Sequence, residues 1–336
     1  MTREKLAAQV FLSAVEGRSF TENTRRLLTE IPAGGIMLFA YNVSADTEKS
    51  RLFIDELSRF VAALSVVPFI ASDQEGGAVQ RFRGKAALPA PLSYWERREM
   101  TASGAGGGDI LAVLEQDAMA AGKELRRIGI TLNLAPVAEP LADINRSFLK
   151  DRSYGPDAAF TASAAAAFVR GMKSAGIASV LKHYPGNSGA DPHRSRAKLD
   201  ISAAELERLT GPFRFVIDRE EPAAVMVSHV IVPAWDDRPL SLSPQAVKRL
   251  RDFGFEGIIL ADDFTMAAAG AAPEVSTVEA LKAGVDMIMA WPGDLRKQHR
   301  AVLDALERGE LSEARLREAA ERIIFQKLRY GLIRSF

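Results

Sequence analysis

Short, unbroken apolar runs alternate along the chain with longer stretches in which apolar residues recur every three or four positions. The short runs fall at residues 34–42 (GGIMLFAYN), 67–73 (VPFIASD), 131–139 (TLNLAPVAE), 178–184 (ASVLKHY), 224–232 (AVMVSHVIV), 257–263 (GIILADD) and 286–291 (DMIMAW). Their length and apolar, β-branched content predict strands. The longer stretches, such as 48–64, 111–129, 158–176, 277–284 and the closing 312–332, carry the helical period. The resulting βα rhythm repeats about seven times.

Strands that read as continuous apolar runs are covered on their faces by helices, which argues for a parallel sheet. No linker, low-complexity tract or shift of composition divides the chain. The pattern therefore predicts one α/β domain of (β/α)8 TIM-type barrel architecture over residues 1–336, with one βα unit irregular or missing. A doubly wound open sheet is the alternative; the first βα turn lacks the GxGxxG of its dinucleotide-binding version. The last helix is expected to pack the barrel shut.

Composition narrows the partners. The 336 residues contain 43 basic and 43 acidic side chains, so no overall field draws the protein to nucleic acid or to an anionic membrane. There is no cysteine, which removes disulfides, thiolate metal sites and a cysteine nucleophile. No apolar run approaches the roughly 20 residues that span a bilayer, and the first residues, MTREKLAAQVFLSAVEG, are too charged for a signal peptide. A cytoplasmic protein is the default expectation, a periplasmic or secreted one if a leader preceded this sequence.

In a parallel barrel the carboxyl ends of the strands form the active face, so polar residues there are the candidates. Asp73 and Glu75 follow the second run, Asn133 and Glu139 flank the third, Lys182 and His183 close the fourth, His229 lies late in the fifth, and Asp262 and Asp263 end the sixth. Each also has a bland reading. Asp263 reads as a helix cap or structural residue, and His229, inside MVSHVIV, is as readily a satisfied core histidine as a ligand. The first run ends in FAYN, with no His-x-His pair for a metal, and AWPGD after the last run is a poor phosphate loop. The remaining class is acid, base and carboxylate-nucleophile chemistry on a neutral polar substrate, with no cofactor or metal expected.

Taken in order, the segments GGIMLF, SDQEGGAVQRF, LAPV, DRSYG, KHYPG, SHVIVPAWDDRPLSLSP, GFEGIILADDFTM, AGVDMIM and KLRYGL resemble the β-N-acetylglucosaminidases of glycoside hydrolase family 3, bacterial enzymes that trim peptidoglycan fragments. The resemblance spans nearly the whole chain. It implies a retaining, two-step mechanism in which the first Asp of ADDFTM, Asp262, is the nucleophile. It further implies that Asp191 and His193, on the loop KHYPGNSGADPH, form the acid/base dyad. An imidazole titrates near neutrality, and a carboxylate two residues away can fix its tautomer. The sugar contacts that it implies are Asp73, Arg81, Arg152, Lys182 and His183, with Met226 and His229 from the fifth run.

This chain departs from the family pattern near the chemistry. Asn187 stands where the family has the second histidine of K-H-F-P-G-H-G, the following loop is two residues shorter, and Pro192 stands between the dyad partners. Ala78 and Tyr41 replace arginines that family members commonly carry. The leading expectation is an exo-acting β-N-acetylglucosaminidase on muropeptides or related oligosaccharides, its partner a small carbohydrate. The alternatives are a family-3 β-glycosidase or phosphorylase of other specificity, or a sugar-binding barrel without catalysis.

Overall fold

Each of the seven apolar runs contains a strand in the computed structural model, which describes residues 1–102, 108–189, 197–266 and 269–333. An eighth barrel strand lies in the amino-terminal segment, where the pattern predicted none. In chain order the strands are β1 (Phe11–Ala14), β2 (Gly35–Leu38), β3 (Phe69–Ser72), β4 (Gln74–Gly76), β5 (Val79–Gln80), β6 (Leu132–Asn133), β7 (Ala178–Tyr184), β8 (Ala224–Val227), β9 (Ile258–Ala261) and β10 (Met287–Ala290). Eight of them pair in parallel in the order β1, β10, β9, β8, β7, β6, β3, β2, and the pairing of β2 with β1 closes the barrel. β4 and β5 form a separate antiparallel hairpin on the exit of β3. The expected (β/α)8 barrel is thus complete.

The irregular unit is β6, whose ladder spans only Leu132 and Asn133. Pro136 and Pro140 follow, and a proline has no N–H to give a ladder. Pairing resumes as a single bridge between Val137 and Lys182.

Helices are started by side chains that accept the free N–H groups of the first turn. Asp46 caps Thr47–Leu64, Asp157 caps Ala158–Ser174, Ser202 caps Ala203–Glu220, and Ser312 caps Glu313–Arg329; each such cap contributes about 1 kcal/mol. Thr47–Leu64 buries Phe53, Ile54, Leu57 and Val61, the stripe that its period predicted. Ala158–Ser174 packs unusually close to Ile110–Ile128: a Cβ on Gly171 would sit 2.4 Å from the Glu115 carbonyl oxygen. Ala164 and Ala167, buried in the same apolar cluster as Ala118 and Ala121 of Ile110–Ile128, keep that face thin enough for the approach.

The closing helix does seal one end. Asp286, just before β10 and fully buried, is bonded by Arg251 at 2.6 Å and by Arg315 and Arg322 of Glu313–Arg329 at 2.8 and 3.4 Å. The same helix buries Lys327, whose Nζ reaches Gln9 Oε1 at 3.0 Å. That network occupies the amino ends of the strands. The opposite, carboxyl ends are left to carry the polar residues.

Candidate active site

The exit of β3 is built by Gln74. Its backbone N–H and carbonyl are clamped by the Asn133 amide at 2.9 and 3.0 Å, and its own amide bonds the Phe82 and Ala86 carbonyls and the N–H groups of Arg81 and Phe82. The hairpin β4–β5 is thereby folded back so that Arg81 returns toward Asp73. Gly76 makes the bend: its φ is +107°, and a Cβ there would meet the Pro89 carbonyl at 2.1 Å.

Asp73 and Glu75, two residues apart, converge on Lys182 from β7. The Lys182 Nζ lies 2.8 Å from Asp73 and 2.6 Å from Glu75, Arg81 bonds Asp73 at 2.9 Å, and Arg152 grips Glu75 through Nε and Nη2 at 2.8 and 2.9 Å. Burial pushes the Asp73 carboxyl up, but Lys182 and Arg81 outweigh it and hold it at about 2. Glu75 is pushed up by burial and drawn below its usual value by Lys182 and Arg152. Burial works against the Lys182 ammonium, yet the two carboxylates raise it above its usual value. Asp73, Glu75, Arg152 and Lys182 therefore stay charged at neutral pH, a set of donors and acceptors that suits sugar hydroxyls.

A second network holds His183. Its Nδ1 lies 2.7 Å from Glu139 Oε1, and Glu139 also accepts the backbone N–H of His183 and both the backbone and amide N–H of Asn187. Burial raises the Glu139 carboxyl, and His183 with these N–H donors brings it below its usual value. With Nδ1 committed to Glu139, only Nε2 of His183 remains for a ligand. Asn187, where a second histidine was noted as the family's residue, serves as a donor to Glu139.

Asp262 and Asp263 leave β9 together and do different work. The Asp262 carboxylate lines the cavity and accepts only its neighbour's backbone N–H, that of Asp263 at 2.9 Å, among the described bonds. Asp263 is buried and spends its oxygens on Thr265 N–H, Thr265 Oγ1 and Trp291 Nε1. The structural reading of Asp263 fits this placement.

Asp73, Arg81, Arg152, Lys182, His183, Met226 and Asp262 line one cavity of about 260 Å³, the scale of a single sugar unit. His229 does not line it. Its Nε2 bonds the Asp263 carbonyl at 2.9 Å and its Nδ1 meets Ser241 Oγ at 2.7 Å, so Nε2 carries the proton and both nitrogens are committed. Burial lowers its pKa, in keeping with a neutral ring. The proposed sugar contact at His229 is corrected to a support beneath Asp263. Asp191 and His193 lie outside the described residues.

Four contributors went unassigned in the sequence. Glu75 and Glu139 were seen as strand-end carboxylates but not as the partners of Arg152 and His183; the spacing of Asp73 and Glu75 by two, which puts both on one side of an extended strand, was the available signal. Phe39 and Trp291, which also line the cavity, left no signal, because they come from opposite ends of the chain.

Comparison with known proteins identifies the arrangement. The profile of the family described as glycosyl hydrolase family 3 N terminal domain matches residues 1–325. A β-hexosaminidase from Thioalkalivibrio sulfidiphilus is 36% identical over 302 residues, covering 87% of this chain and 83% of its own length, and one from Methylococcus capsulatus is 32% identical over 314 residues, covering 90% and 88%. Among solved structures, a β-N-acetylhexosaminidase from Beutenbergia cavernae superposes with a TM-score of 0.85 at 27% identity, covering 98% of this chain and 99% of that one. A family 3 β-N-acetylglucosaminidase from a Paenibacillus species gives 0.90 at 27% identity and covers the whole of this chain, which spans 64% of that longer protein.

Proposed function

The chain belongs to glycosyl hydrolase family 3, and from that premise we propose that it is a retaining β-hexosaminidase that removes terminal, non-reducing N-acetylglucosamine from muropeptides or related oligosaccharides. The observation that carries this reading is that Asp262 lines the same cavity as the charged network of Asp73, Glu75, Arg81, Arg152 and Lys182. A carboxylate bonded by two cations keeps oxygen lone pairs for adjacent sugar hydroxyls, while Arg and Lys donate to hydroxyl or acetamido oxygens.

In this reading Asp262 attacks C1 as the glycosidic bond breaks, forming a glycosyl ester with inversion. The leaving oxygen takes its proton from the His193 imidazolium, which Asp191 orients; the neutral imidazole, its tautomer fixed by Asp191, then deprotonates water, which displaces Asp262 with a second inversion. Net configuration at C1 is retained. Support for a donor beyond the described carboxylates comes from their environment. Glu75 and Glu139 are held below their usual values by cations and N–H donors, so neither carries a proton to give at neutral pH. The Nε2 proton of His229 is spent on the Asp263 carbonyl.

Hydrolysis of 4-nitrophenyl β-N-acetylglucosaminide beside the corresponding β-glucoside tests the reading. Preferential release from the N-acetylglucosaminide is expected. Turnover of neither, or faster release from the glucoside, would remove it.

A further inference from the structure

Three aromatic rings that the mechanism leaves unused stand in a stack at the edge of the cavity. Phe39, directly after β2, and Trp291, directly after β10, lie with centroids 4.8 Å apart and planes 10° apart, and Tyr41 stacks on Phe39 at 5.8 Å and 18°. Phe39 and Trp291 line the cavity; Tyr41 is 43% exposed at the outer end. β1 lies between β2 and β10 and ends in Ser13 and Ala14, whose small side chains leave its neighbours' rings room to meet.

The stack is fixed beside the reacting carboxylate. Trp291 Nε1 donates to Asp263, the residue after Asp262, so this apolar wall is one hydrogen bond and one peptide from the proposed nucleophile. The polar side of the cavity already has its cations engaged: Arg81 with Asp73, Lys182 with Asp73 and Glu75, and Arg152 with Glu75. None of these described cations is unpaired and waiting for an anionic leaving group. A pyranose, by contrast, presents a face of C–H groups that packs against an aromatic ring while its hydroxyls stay hydrated.

We infer that the Tyr41–Phe39–Trp291 stack is the leaving-group platform, which receives a neutral pyranose linked to the sugar held by Asp73 and Lys182. The inference rests on the β-hexosaminidase reading and narrows it to substrates with a neutral second sugar, such as a β-linked N-acetylhexosamine. It makes Phe39 and Trp291 specificity-determining residues, with Asp263 as the group that sets the indole.

The test compares kcat/KM for N,N′-diacetylchitobiose with kcat/KM for N-acetyl-β-glucosaminyl fluoride, whose leaving group has no ring. Trp291→Ala should lower the ratio of the two by about tenfold, the scale of one lost ring contact. Phe39→Leu, which disturbs no bond to Asp263, should lower it several-fold and stands in if Trp291→Ala fails to fold. Trp291→Phe keeps a ring and gives up the indole N–H; it should hold the ratio within about twofold of wild type. Loss in Trp291→Phe equal to that in Trp291→Ala would make Trp291 a strut for Asp263 and overturn the platform, as would an unchanged ratio in both Trp291→Ala and Phe39→Leu. A wild-type enzyme inactive on both substrates would overturn the β-hexosaminidase reading and the platform together, whereas failure of the ratio alone leaves that reading standing.

Discussion

Glu139 Oε1 lies 2.7 Å from His183 Nδ1, and the carboxylate, with no exposed surface, also gathers three N–H donors from His183 and Asn187. Glu139→Gln puts an NH2 where only acceptors fit. At least one buried donor loses its partner, so the fold should lose about 1–3 kcal/mol. KM should rise with it as the imidazole loses its orientation. Thermal melts and kinetics on one aryl substrate measure both, and a variant with wild-type stability would show that the carboxylate is not what holds the ring.

Lys182 depresses both Asp73 and Glu75, and this has a pH signature. Groups whose folded pKa is lowered contribute stability that is present above their unfolded value and lost as pH falls through the folded one. For Asp73 that window runs from its usual 3.8 down to about 2. Lys182→Met removes the cation shared by two buried carboxylates, leaving Asp73 to Arg81 and Glu75 to Arg152 alone, and should cost about 3 kcal/mol at pH 7. The gap to wild type should narrow below about pH 4, as the variant's carboxyls protonate. Unfolding curves at stepped pH decide it; a gap independent of pH would contradict the network.

Lys327 gives the opposite limb. Burial alone lowers its ammonium to about 7 from the usual 10.5, with Gln9 Oε1 as its side-chain partner. Between those values the folded chain binds fewer protons than the unfolded one, so this group makes stability rise with pH; below about 7 its penalty is present in full. Lys327→Met should therefore stabilise by about 1–4 kcal/mol at pH 6, and the gain should shrink toward pH 10. A gain that stays constant across that range would show that the lysine does not titrate in the core.

Most of the fold was legible because helix-covered strands announce themselves as apolar runs and because their carboxyl ends switch abruptly to Asp73, Lys182 and Asp262. β1 escaped because Phe11–Ala14 follows the alanine-rich helix Arg3–Gln9 with no Gly or Pro between them and ends in the small Ser13 and Ala14, so its apolar residues do not stand out as a separate run. The pattern along 224–232 marked His229 as a strand residue but not which groups its nitrogens would meet, since Ser241 and the Asp263 carbonyl arrive from later in the chain. Phe39 and Trp291 become neighbours only when β1 is inserted between β2 and β10, so the stack was invisible before the eighth strand was known. The assignment of Asp191 and His193 came from resemblance alone.

That assignment makes a kinetic prediction. His193→Ala should slow substrates with poor leaving groups far more than activated aryl glycosides, because a good leaving group needs little proton donation. Azide should partly restore the second step, as an anion needs no base to attack. Asp191→Asn should show a milder form of the same pattern. Equal losses on both substrate types would move the proton donor elsewhere, and His183, paired with Glu139 and lining the cavity, would be next to test.

In the proposed mechanism Asp262 forms a covalent bond to the sugar. Incubation with a fluorinated, slowly turned-over N-acetylglucosamine donor, followed by proteolysis and mass spectrometry, tests it directly. One sugar adduct is expected on the peptide containing GIILADDF, at Asp262, absent from Asp262→Asn, which should be folded and inactive. An adduct on Glu75, or turnover by Asp262→Asn at a rate near wild type, would contradict it.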